Sequence, residues 1–213
     1  MYNIIYVLIQ NVKIVFIEFY ILFLYNNFRG EIMYLWVGAV FDSNAENEIR
    51  SIANKLNENY NLSTVAFSLP QHISLKISFD CVDYKGVIDF IKGKLSDFSP
   101  FEVKINDVTK IDGSLIWLEV CENETLRKMH NLLNKSLLDT FSIPLKSFDG
   151  EGFKFHSTLF FDSRVSVAHH KFIDEFKNQF SLPKKYKISE IKFAIAPSLT
   201  AGEFKIIDSL KLN

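Results

Sequence analysis

The sequence lays down one short plan twice. His72-Ile73-Ser74-Leu75 runs through an alternating stretch to Phe79-Asp80 and then into a helix-like segment, and His156-Ser157-Thr158-Leu159 runs to Phe161-Asp162 and then into another. The two histidines stand 84 residues apart. In each copy a period of two separates an apolar side from a polar side, the mark of a half-buried strand. His72, Ser74, Lys76 and Ser78 fall on one face of the first strand, with Ile73, Leu75, Ile77 and Phe79 on the other. Lys154, His156, Thr158 and Phe160 fall on one face of the second, with Phe155, Ser157, Leu159 and Phe161 on the other. Two halves of similar plan predict an α+β fold with two lobes facing each other about a pseudo-twofold axis.

The rest of the pattern alternates strands with helices from Met33 onward. Met33–Phe41 is a buried strand, apolar on both faces, so periodicity does not orient Tyr34 or Trp36. Ser43 and Glu46 make a capping-box pattern for a helix to about Tyr60. Strands are expected near Thr64–Ser68 and Gln71–Phe79, with Pro70 between them. A helix follows over about Lys85–Leu95. Strands at Phe101–Val108 and Ser114–Cys121 flank a turn at Asp112-Gly113. A helix spans about Glu124–Leu138. Strands are expected at Phe141–Ser147 and Lys154–Phe161, with a mobile turn at Asp149-Gly150-Glu151-Gly152. A helix starts after Ser166, and strands near Lys187–Ala196 and Glu203–Leu210 close the chain. No linker long enough to separate independent domains interrupts residues 33–213.

Residues Ile4 to Tyr25 are strongly apolar, but Gln10, Asn11, Lys13 and Glu18 interrupt them. A central Lys costs roughly 2.5–3.5 kcal/mol on membrane insertion. Three readings are open: a membrane anchor, a helix packed on the domain, or an extension upstream of the functional start. The folded pattern begins at Met33, which favours the third, with residues 1–32 outside the domain. The two cysteines, Cys81 and Cys121, have no partner at metal-ligand spacing, which excludes a disulfide scaffold and a zinc finger. Free thiols suit a reducing, cytoplasmic setting, with anchoring through residues 4–25 as the alternative.

Lysine plus arginine total 24 and aspartate plus glutamate 25, which argues against a surface built for long duplex DNA. Arginine contributes only four of those cations, which disfavours extensive bidentate phosphate recognition. The charge balance leaves room for a small basic groove that takes a nucleotide or a short RNA end, and the chain is expected to be a monomer. The chemistry sits on the polar faces of the two His-x-Ser/Thr strands. An imidazole exchanges protons near neutral pH, and two across a groove can act as base and acid for one displacement at phosphorus. Hydroxyls at Ser74 and Thr158 can donate to phosphate oxygens. Lys76 and Lys154 share the motif faces as possible phosphate contacts, and Phe160 as a base-stacking ring. No metal or cofactor is called for. His130 and His169-His170 read as helix residues without a catalytic partner, and the lysines at 184, 185 and 187 as a solvated turn.

At these residues the sequence resembles the 2H phosphoesterase superfamily, which includes the bacterial 2'-5' RNA ligase-like proteins and cyclic nucleotide phosphodiesterases. Its mark is two H-x-T/S-x motifs in separate lobes, here His72-Ile73-Ser74-Leu75 and His156-Ser157-Thr158-Leu159. Met33–Phe41 resembles its opening strand, Ser114–Val120 its central strand and Phe193–Leu210 its closing hairpin. The resemblance covers about Met33 to Leu212. It implies a bilobal α+β fold in which two antiparallel sheets form a concave groove with helices outside. It implies metal-free opening, or reversible formation, of a 2',3'-cyclic or 2'-5' phosphodiester. His72 and His156 would be the acid/base pair, and Ser74 and Thr158 would hold the phosphate. Ser74 replaces the commoner Thr and lacks the methyl that restricts the rotamer, so a looser hydroxyl is expected there. The same groove used for binding without turnover is the alternative.

Overall fold

The computed structural model describes residues 32–111, 115–161 and 167–213. Strand β1 (Met33–Phe41) is apolar on both faces because it lies inside the sheet. It pairs antiparallel with β2 (His72–Cys81) on one edge and with β6 (Lys184–Ala196) on the other. Leu35, Val37, Ala39 and Phe41 enter the main core. Trp36 and Val40 point the opposite way, into a small cluster with Ala194, Leu69 and Phe204. This second face is the one that carries the first motif.

Strand β6, 13 residues long, joins the two halves of the fold. One edge pairs with β1. The other is shared end to end by β3 (Phe101–Ile111), opposite residues 184–188, and β7 (Lys205–Lys211), opposite residues 190–195. From β3 the path continues to β4 (Leu115–Val120) and β5 (His156–Phe161), giving the order β2-β1-β6-β3-β4-β5 with β7 beside β6. All of these pairings are antiparallel. The α+β class is as expected, but the two separate sheets are one. A strand as long as β6 has room for partners of both halves on its edges, so the ladder never breaks.

Four helices bury their stripes against the inner face: α1 (Ser43–Asn57), α2 (Tyr84–Leu95), α3 (Glu124–Phe141) and α4 (Val167–Phe180). Phe172, Phe176 and Phe180 of α4 are fully buried, in edge or tilted contact with one another and with Phe160. Each such ring contributes on the order of 2–3 kcal/mol by leaving water. Among the described residues no helix is long and apolar enough to cross a membrane. Residues 4–25, the turn at 112–113 and the side chain of His169 lie outside what is described.

Three local expectations differ. The N-cap of α1 is Asp42, whose carboxylate accepts from Ala45 N at 2.9 Å, so Ser43 is the first helical residue rather than the cap. Thr64–Ser68 is a 3-10 helix rather than a strand. Arg50 of α1 takes one of its carbonyls, donating to Phe67 O at 3.1 Å, and also donates to Leu69 O just beyond its end. Residues 142–147 form no strand. Ser142 ends α3 in the left-handed region, and Pro144 lacks the N–H that a ladder needs.

Candidate active site

The two motif strands lie at opposite ends of the strand path, yet the sheet curls until they meet. β2 and β5 are in contact, and a charge on His156 lowers the pKa of His72. His72 and His156 are held alike. Nδ1 of His72 lies 2.7 Å from Pro70 O, and Nδ1 of His156 lies 2.8 Å from Lys154 O. A carbonyl only accepts, so each Nδ1 carries the proton and each Nε2 is the basic nitrogen. Among the described residues neither Nε2 has a hydrogen-bond partner.

Each imidazole also rests on an indole from the neighbouring strand. Trp36 meets His72 edge-on, with centroids 4.5 Å apart, and Trp117 of β4 stacks on His156 at 3.6 Å. Burial pushes the His72 pKa down to about 4, helped by the charges of His156 and Arg50 and opposed by the Pro70 carbonyl. Burial also lowers the His156 pKa, opposed by the Lys154 carbonyl. Burial thus favours the neutral form of each imidazole.

The hydroxyls follow two residues later on the same faces. Ser74 Oγ accepts from Trp36 Nε1 at 3.2 Å, so its own hydrogen remains available to a ligand. The looseness expected of serine is offset by this contact. Trp36 can reach it because Gly38 leaves room: a Cβ there would fall 2.0 Å from Trp36 Cζ2. Thr158 lies with His72 on a cleft of about 180 Å³ whose other walls include Leu69, Phe161 and Phe204. His156 opens onto a second cleft of about 400 Å³ with Trp117, Glu119, Arg127 and Lys154. A third cavity, lined by Tyr84, Lys85, Asp89 and Asp208 among others, holds no motif residue.

Two residues expected on the motif face are elsewhere. Lys76 is 1% exposed, with its ammonium 2.7 Å from both Asp149 and Asn134. Phe160 is 1% exposed and packs on Phe67 and Phe172. The cause is the same in both strands. Gly38 faces Ser74 but Val37 faces Lys76, and Trp117 faces Thr158 but Ile116 faces Phe160. One step along the partner spans two steps along the motif strand, which is a β-bulge, and the residue beyond the bulge turns to the other side. Lys154, by contrast, is exposed on the His156 cleft.

The segment before the second motif is pinned. Asp149 accepts from Lys76 Nζ, Lys146 N and Ile77 N, and Arg127 donates to Gly150 O and Phe153 O. His130, expected to lack a partner, is fully buried there. Its Nδ1 bonds Leu75 O at 2.8 Å and its Nε2 accepts from Gly150 N at 3.0 Å.

Gln71 carried no signal in the sequence beyond its place before His72. It is buried and donates to Ser157 Oγ and Thr158 O. The glycine in the otherwise apolar run of β1 was the one hint of a close approach by Trp36. No cluster of metal-ligating side chains occurs among the described residues.

The two motifs therefore lie on strands that are in contact, with His72 and Thr158 on one cleft and His156 on a second. The profile of the 2'-5' RNA ligase superfamily matches residues 41–195, and the chain belongs to that superfamily. No curated protein matches the chain in sequence. Among solved structures it is similar in fold to Escherichia coli LigT in its apo form, with a TM-score of 0.60 at 14% identity over 86% of this chain and 99% of that one. LigT complexed with 3'-AMP matches with a TM-score of 0.56 at 12% identity over 86% and 99%. TT0787 of Thermus thermophilus matches with a TM-score of 0.60 at 12% identity over 84% and 97%.

Proposed function

We propose that the chain, through residues 33–213, is a metal-independent phosphoesterase that opens 2',3'-cyclic or 2'-5' phosphodiesters in nucleotides or short RNA ends. The observation that carries this reading is the matched pair of imidazoles. Both are fixed through Nδ1, neither Nε2 has a partner among the described residues, and each has a hydroxyl two residues on. One Nε2 takes a proton from water as the water oxygen bonds to phosphorus. The bond from phosphorus to the leaving 2' or 3' oxygen breaks, and the second imidazole, protonated beforehand, gives its proton to that oxygen. Positioned acid/base groups contribute about 10²–10⁴-fold each. Ligation is the same displacement reversed.

Ser74 and Thr158 donate to the non-bridging oxygens, and the dianionic character growing at phosphorus is stabilised there. Lys154 is the accessible cation of the His156 cleft. Arg127 is already committed to Glu122, at 2.8 and 2.9 Å, and to two carbonyls. Lys76 and Phe160 take no part in substrate contact. LigT, similar in fold, has been solved with the ribonucleotide 3'-AMP.

The test is turnover of 2',3'-cyclic nucleotides, cyclic-phosphate-ended RNA and 2'-5' dinucleotides by the full chain, with and without chelator. The His72→Ala/His156→Ala double variant runs in parallel. Chelator-resistant turnover that vanishes in the variant supports the reading. Retained binding without turnover moves the chain to a nucleotide-binding role, and abolition by chelator removes the metal-free mechanism.

A further inference from the structure

Gln71 occupies the residue before His72 and is 3% exposed. Its carboxamide Nε2 donates to Ser157 Oγ at 2.6 Å and to Thr158 O at 2.9 Å, so both amide hydrogens are spent on the second motif. Its backbone carbonyl accepts from Phe41 N at 3.1 Å, which fixes the residue on the first half. Ser157 is fully buried and belongs to the core face of β5. The bonds therefore run behind the motif face rather than across it. β2 and β5 are the two ends of the strand path and share no ladder with each other. Without a ladder, two strands are free to shift relative to one another by the fraction of an ångström that decides whether two catalytic groups meet one phosphate.

We infer that Gln71 is a positioning residue that clasps the two His-x-Ser/Thr motifs and sets the separation of His72 from His156. The inference rests on the phosphoesterase reading for its consequence in rate, but its geometry is independent of that reading. A glutamine suits the task because its amide offers two donors on one nitrogen, to a hydroxyl and to a carbonyl. Glutamate at this position would place a carboxylate against the Thr158 carbonyl. Leucine, of nearly the same shape, would fill the space and bond neither.

The experiment uses the full chain with Gln71→Leu and, from the opposite side of the same bond, Ser157→Ala. In Gln71→Leu, kcat should fall about ten-fold or more with KM changed less than about three-fold, since loosened spacing harms the step that needs both imidazoles at once. Ser157→Ala keeps the Thr158 bond and should show a smaller loss of the same kind. A second readout needs no turnover. The charged groups acting on His72 are those of His156 and Arg50. His156→Gln should raise the His72 pKa followed by NMR titration, and this rise should shrink in the Gln71→Leu background.

If kcat stays within about two-fold in both variants, or the His72–His156 coupling is undiminished, the clasp is overturned. If the parent chain turns over none of the substrates while the coupling still weakens in Gln71→Leu, the clasp stands and the proposed reaction falls. Should Gln71→Leu fail to fold, Ser157→Ala decides by the same two readouts.

Discussion

The two motif strands solve one geometric problem with different chemistry. In each, a histidine and a hydroxyl residue lie on one face, a bulge follows, and the fifth residue turns into the protein. In β2 that residue is Lys76, which must be neutralised in the interior. Asp149, Asn134 and the Pro144 carbonyl surround its ammonium, and the loop that supplies Asp149 is thereby tied to β2. In β5 it is Phe160, which needs only apolar neighbours and finds them in Phe67 and Phe172. The bulge is thus a backbone device indifferent to what it buries. The surroundings must then accommodate the residue, with a polar network in one half and an aromatic cluster in the other. The indoles differ too. Trp36 gives its N–H to Ser74, whereas Trp117 Nε1 is buried without a partner among the described residues.

The sharpest challenge to the symmetry is removal of the imidazoles. His72→Ala and His156→Ala should each lower kcat by about 10²–10⁴-fold with a much smaller change in KM. Steady-state kinetics with one variant nearly unaffected would show that only one motif is catalytic.

Next come the buried fifth residues. Lys76→Ala leaves the Asp149 carboxylate without its cation and should cost about 3–5 kcal/mol in denaturant unfolding. Phe160→Ala should cost a similar 3–5 kcal/mol, roughly, through the cavity it leaves. The difference lies in rescue. Lys76→Met combined with Asp149→Asn should recover most of the loss, because the pair is then removed together. No change of a charged partner will rescue Phe160→Ala.

The pH dependence of stability probes the histidines together. His72, His130 and His156 all sit below the ordinary imidazole value in the folded chain. The unfolded chain therefore binds protons more readily, and stability rises with pH wherever that difference exists. The contribution of His72 is fully present above its ordinary pKa of 6.5 and is lost as pH falls toward about 4. Urea midpoints measured across that range should decline steadily. A flat profile would show that the imidazoles are solvated as in the unfolded chain.

The smallest effect concerns the indoles. Trp36→Phe removes the bond to Ser74 and should cost about 1 kcal/mol, roughly five-fold in kcat. Trp117→Phe keeps a ring over His156 and loses an N–H that bonds nothing among the described residues, so its kcat should change less. Equal losses would mean that stacking, not the Ser74 bond, is what both indoles supply.

What could be read from the chain was local. His72, Ser74, His156 and Thr158 are separated by two residues within their motifs, and alternation along a strand places them correctly without knowledge of any partner. The helical stripes, such as Phe172, Phe176 and Phe180, were legible for the same reason. Lys76 and Phe160 were misplaced because a bulge is a mismatch between two strands, and neither strand alone records it. Thr64–Ser68 has a strand-like composition, but it winds into a 3-10 helix whose Phe67 carbonyl is bonded by Arg50 from α1.

The sequence alone therefore determined the α+β class, most of the elements and the pair of His-x-Ser/Thr motifs, because backbone periodicity and side-chain type act over a few residues. Tertiary structure decided the rest: one sheet rather than two, which face of β1 carries Trp36, and where Lys76 and Phe160 point. It also decided which carbonyl sets each imidazole tautomer, and that Gln71 bridges the motifs. Each of these depends on strand register or on the approach of residues far apart in the chain, and such contacts exist only after the ends of the sheet have met.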